Sequence, residues 1–88
     1  MKINGEFILR QVAGETILVP VGQTALKLNG IITLDPVGTV IWQQLEAGKS
    51  KAEILAQILE QFDVSEGVAA ADLDEFLEKL QKNNLIRE

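Results

Sequence analysis

The sequence predicts an α+β fold: a three-stranded antiparallel sheet followed by three helices that cover one face of it. Three observations carry this reading. The first third holds short runs rich in β-branched residues, punctuated by Gly and Pro. From Asp35 onward the apolar residues recur at helical spacing. Capping residues at Asp35, Ser50 and Ser65 divide that second part into separate helices.

The strands come first. Glu6 to Val12 and Glu15 to Pro20 are β-rich runs separated by Ala13-Gly14, the spacing of a tight hairpin. Pro20 ends the second run because it has no N–H to give a ladder. Val21 to Thr24 reads as a loop, and Ala25-Leu26-Lys27-Leu28 alternates weakly and reads as extended. Asn29-Gly30 is a turn signal. Ile31-Ile32-Thr33-Leu34 is β-branched and too short for a helix, so it is taken as the third strand.

Asp35-Pro36 then starts a helix, with Asp as the cap and Pro at the first helical position, where its missing N–H costs nothing. Val37, Val40, Ile41 and Leu45 form its stripe, with Trp42 beside it and Gly48 as the stop. Ser50-Lys51-Ala52-Glu53 has the pattern of a capping box. Ile54, Leu55, Ile58, Leu59 and Phe62 follow as an amphipathic face. After Asp63 to Gly67 a longer helix runs from about Val68 to Lys82, its apolar face made by Val68, Leu73, Phe76, Leu77 and Leu80. Asn83-Asn84 stops it, and Leu85-Ile86 are expected to tuck back onto the core.

The chain has 88 residues, read as a single domain over residues 1–88, and 47% of them are apolar, enough for one core. It contains neither Cys nor His, which removes disulfides, thiolate metal sites and the commonest general base. The hydroxyls at Thr16, Thr24, Thr33, Thr39, Ser50 and Ser65 therefore have no evident activating base, and no phosphate-loop glycine pattern occurs. No signal-peptide pattern opens the sequence, and no run reaches the roughly 18 apolar residues of a membrane span, so a cytoplasmic protein without membrane attachment is expected. The carboxylates Asp72, Asp74, Glu75 and Glu78 share helix faces but, without His, read as a solvated acidic surface and not as a metal site.

The net charge is −5. Residues 1–44 hold three basic and three acidic side chains; residues 45–88 hold five basic and ten acidic. A winged helix-turn-helix regulator that binds DNA is the alternative function for such an element order, but this charge placement is poor for a phosphate backbone. What remains is binding. The outer edge of the Ile31–Leu34 strand would present unpaired N–H and C=O groups, which can accept another strand, either from a peptide or from a second copy in a homodimer.

The ordered residues Leu34-Asp35, Gly38, Ile41-Trp42, Leu45, Gly48, Ser50, Glu53-Ile54, Val64, Asp72, Phe76-Leu77, Leu80 and Leu85-Ile86 resemble a family. It is the small D protein of pyrroloquinoline quinone biosynthesis (PqqD) and its relatives, the recognition elements for ribosomally made, modified peptides. The similarity runs from about residue 6 to residue 87. Asp35 stands where the family usually has Asn, and Asn29 to Ile32 looks like a subgroup feature.

The resemblance implies a winged-helix-like fold and a non-catalytic adaptor that binds the leader segment of a precursor peptide and presents it to a modifying enzyme, often a radical S-adenosylmethionine (radical SAM) protein. Any cofactor would belong to that enzyme; none is expected here. The resemblance places the leader as an added strand against Ile31, Ile32, Thr33 and Leu34, with the last helix as a wall. On that helix Asp72, Phe76 and Lys79 are the expected contacts, while Leu73, Leu77 and Leu80 are expected in the core.

Overall fold

The computed structural model describes residues 1–28 and 31–87; the Asn29-Gly30 turn signal lies outside them. The elements run β1 (Lys2–Ile3), β2 (Phe7–Val12), β3 (Glu15–Pro20), α1 (Gln23–Lys27), β4 (Ile32–Leu34), α2 (Pro36–Glu46), α3 (Lys51–Gln61), α4 (Glu66–Lys82) and β5 (Ile86–Arg87). The expected sheet is β2-β3-β4, antiparallel throughout.

The hairpin follows from its two-residue turn. Val12 pairs with Glu15, and Ala13 and Gly14 both take positive φ, 54° and 83°. Positive φ at both central residues defines the turn whose twist matches its strands; Gly14 adopts it freely and Ala13 at a steric cost.

The register puts Phe7, Leu9, Leu18, Ile32 and Leu34 on one face of the sheet. That face meets the helices. Leu18 and Leu34 are buried there with Ile41, Trp42, Leu45, Ile54, Ile58, Ala69, Leu73, Leu77 and Leu80 in one cluster. Trp42 is fully buried and stacks edge-to-face on Phe7, with ring centroids 5.3 Å apart at 82°. A buried ring of this size is worth about 5 kcal/mol in area alone. Its Nε1 has no hydrogen-bond partner among the described residues.

Each long helix begins as its cap dictates. Asp35 Oδ1 accepts from the Gly38 N–H at 2.7 Å, the Ser50–Glu53 capping box closes in both directions, and Ser65 Oγ accepts from the Val68 N–H. The last bond corrects the start of α4: the helix opens at Glu66, not near Val68. It also moves the stripe. The buried line is Ala69, Leu73, Leu77 and Leu80, so Val68 falls one position off the core and is 51% exposed.

Helix ends follow the sequence too. Gly48 and Asn84 take left-handed conformations. The pairs Gly48 N–H to Leu45 O with Lys49 N–H to Gln44 O, and Asn84 N–H to Gln81 O with Leu85 N–H to Leu80 O, complete paired C-terminal caps. The second cap turns the chain back, burying Leu85 and Ile86 as expected.

Three further differences have physical causes. Gln23–Lys27 is a short helix where an extended segment was expected. It is held from outside: the Glu6 N–H donates to Thr24 Oγ1 at 2.8 Å, and the Val21 N–H to Glu6 O at 3.0 Å. The third strand of the sheet begins at Ile32, leaving Ile31 outside it and 57% exposed, because β3 pairs only Thr16, Ile17 and Leu18 with β4. A second sheet joins β1 to β5, Lys2 with Arg87 and Ile3 with Ile86. Two-residue strands at opposite ends of a chain carry no local signal.

Candidate functional site

β4 is an edge strand, with β3 on one side and no strand on the other among the described residues. Its alternation sorts the expected contact residues. Leu34 is buried and Ile32 half-buried on the helix-facing side, while Thr33 is exposed on the opposite face. The free edge therefore offers main-chain groups from Ile32 to Leu34, with the Leu34 side chain committed to the core.

Alongside this edge runs a groove whose other wall is α4. Asp72, Glu75, Phe76 and Lys79 lie at i, i+3, i+4 and i+7 on that helix, so they share a face. The structure sets Phe76 and Lys79 beside Thr33 and Leu34 of β4, and Asp72 just beyond the end of that strand, at the opening bordered by Asp35.

Three openings make up the groove. The widest, about 840 Å³, lies between Gln11, Glu15, Thr16, Thr33 and Leu34 on the sheet and Phe76 and Lys79 on α4. At the Ile32 end an apolar hollow of about 370 Å³ is lined by Phe7, Leu18, Leu28, Ile31, Ile32 and Leu85, with Lys79 and Asn83 at its rim. Beyond Leu34 a smaller opening of about 230 Å³ is bordered by Asp35, Asp72, Glu75, Phe76 and Lys79 over Val37, Gly38 and Ile41. Lys79 borders all three. The ion pairs of the described residues, Lys51–Asp74 and Lys82–Glu78, lie elsewhere.

Gly38 shapes the lower end of the groove. A Cβ there would sit 3.1 Å from Asp35 Oδ1 and 3.2 Å from the Phe76 ring, so the bare backbone lets Phe76 lie against the first turn of α2. Gly38, Glu75 and the apolar hollow at Phe7, Leu28 and Leu85 are not among the contacts expected from the sequence. Gly38 and Leu85 do stand in the family-like pattern, which is the one signal for them. Phe7 and Leu28 reach the groove only through the sheet register and the fold of the α1 segment.

No group of three or more His, Cys, Asp or Glu among the described residues could hold a metal ion. No described helix is long and apolar enough to cross a membrane.

Fold and groove together define an α+β domain of winged-helix-like architecture whose open strand edge is set against an amphipathic helix. The family model described as coenzyme PQQ synthesis protein D (PqqD) matches residues 15–86, and the chain belongs to that family. It is similar to the solved structure of TbiB1 in complex with the TbiA(beta) leader peptide. The TM-score is 0.74 at 29% identity, over 97% of this chain and 93% of that one. No curated protein sequence matches the chain.

Proposed function

We propose that this protein is a non-catalytic adaptor that binds the leader segment of a ribosomally made precursor peptide. The leader adds as a strand to the free edge of β4, beside α4, and is presented to a modifying enzyme such as a radical SAM protein. The observation that carries this reading is the three-residue edge strand facing Phe76 and Lys79 across an open groove. Main-chain ladder bonds supply affinity with little demand on sequence, and the groove supplies selectivity. The leader orders on binding, so affinity is moderate for the area covered. Family membership and the leader-peptide complex of TbiB1 support the reading.

Ile32, Thr33 and Leu34 act through their backbone in this proposal, Ile31 through its exposed side chain, and Asp72, Phe76 and Lys79 as the opposite wall. The DNA-binding alternative is disfavoured by α4, which from Glu66 to Lys82 carries five carboxylates against two lysines.

Fluorescence anisotropy with labelled leader peptides from genes neighbouring this one tests the reading. Saturable binding that shifts the backbone amide resonances of Ile32 to Leu34 is expected. Saturable binding that leaves those resonances unmoved would place the site elsewhere.

A further inference from the structure

The two ends of the groove differ in chemistry. At the Ile32 end the hollow is walled by Phe7, Leu18, Leu28, Ile32 and Leu85, and no carboxylate of the described residues lines it. At the Asp35 end, Asp35, Asp72 and Glu75 surround the opening, with Lys79 the one cation there among the described residues. An added strand has a period of two, so only every second side chain faces α4. The facing positions are those beside Ile32 and Leu34, because these two side chains share the inner face of the sheet.

The length of the groove sets the spacing. Along α4 it extends from Asp72 to Asn83, roughly 16 Å at about 1.5 Å per residue. That distance is covered by about five residues of an extended strand at about 3.3 Å each. Same-face positions are separated by an even number of steps, so two side chains seated just inside the two ends are four positions, about 13 Å, apart.

On the reading of this groove as a leader-binding site, we propose that it selects leader segments of a particular pattern. One large apolar side chain fills the hollow at Phe7, Leu28 and Leu85. A lysine or arginine four positions away meets Asp35, Asp72 and Glu75. The three carboxylates outnumber Lys79, so the opening is electronegative, and the chain's net charge of −5 lies in the half that contains α4. Both draw in a basic segment and reject an acidic one. The order of the two selected residues reports the direction of the added strand.

A displayed library of random twelve-residue peptides, sorted for binding to the full chain, tests this. The expected result is enrichment of peptides with Leu, Ile, Phe or Trp at one position and Lys or Arg four positions from it. Sorting against the double variant D72K/E75K, both sites being exposed, should remove the basic preference and keep the apolar one. For one enriched peptide, replacing its basic residue by Glu should weaken binding on the order of tenfold in low salt, and less in 0.5 M NaCl. Enrichment of peptides without the basic residue, or a preference that survives D72K/E75K, overturns the proposal while leaving strand addition intact. Binders whose affinity is untouched by F76A and K79E would instead remove the groove itself as the site, and the function proposed above with it.

Discussion

Among the described residues the sheet has two free edges, and they differ in what stands beside them. β2 offers six residues, with Arg10 at its centre and Ile8 and Val12 exposed. β4 offers only three, none charged. By length alone β2 is the better template for a strand. Beside Ile8, however, lies a cleft floored by Trp42 and Glu46 of α2, with no part of α4 in it, and a charge along an edge discourages pairing. Beside β4 stand Phe76 and Lys79. Unpaired ladder groups are common to both edges, so they confer no selectivity. On the function proposed here, the wall makes one edge a site.

The most drastic way to break this contrast is to remove what holds both edges to the helices. Trp42→Ala should cost about 3–5 kcal/mol in urea denaturation and loosen β2 and β4 alike. Trp42→Phe should cost much less, about 1–2 kcal/mol, because the lost area is partly offset by deleting an indole N–H that has no partner among the described residues.

A cleaner cut acts on the walls alone. Phe76→Ala should lower peptide affinity by about tenfold, the loss typical of a central aromatic contact. Arg10→Glu and Val12→Thr on the β2 edge should leave it within about twofold. Anisotropy titrations of one peptide against all three variants read the difference directly.

Gly38→Ala sharpens the point with a single methyl group. The new Cβ crowds the Phe76 ring and the Asp35 carboxylate, so affinity should fall several-fold. Stability should shift by no more than about 1 kcal/mol, since alanine favours the helix. Unchanged affinity would mean that the Phe76 ring position does not matter.

The smallest effect is expected far from either edge. The Ser50 backbone N–H, and then its hydroxyl, hold the Glu53 carboxyl below the usual carboxylate range. A depressed carboxylate contributes stability above its unfolded pKa and loses it as pH falls through the folded one. Ser50→Ala should therefore move the Glu53 titration, followed by NMR, upward toward 4.5. It should also flatten the acid limb of the melting-temperature profile, with no change in peptide binding.

Much of this molecule is written locally. A cap is a contact over three residues, so Asp35, Ser50 and Glu53 could be read without the fold. The hairpin needs only Ala13-Gly14 between its strands. Helical stripes are periodic, and the one misplaced residue, Val68, follows from a cap three positions upstream at Ser65. The open edge of β4 could be read from its β-branched run, and Asp72, Phe76 and Lys79 beside the groove were within reach through the family resemblance.

Other features depended on contacts between distant residues. The β1–β5 pair joins opposite ends of the chain, and α1 is pinned by Glu6, eighteen residues from Thr24. The two chemistries of the groove arise because α4 runs antiparallel to β4, setting Asp72 and Glu75 beside Asp35, and Lys79 and Asn83 beside Ile31 and Ile32. The sequence by itself determined the β2–β3 hairpin, a third strand ending at Leu34, the three long helices and that an edge would be open, because spacing and capping act within one turn or one hairpin. Only the tertiary structure decided which side chains stand across from that edge, because that depends on how the packed core orients a helix more than thirty residues away.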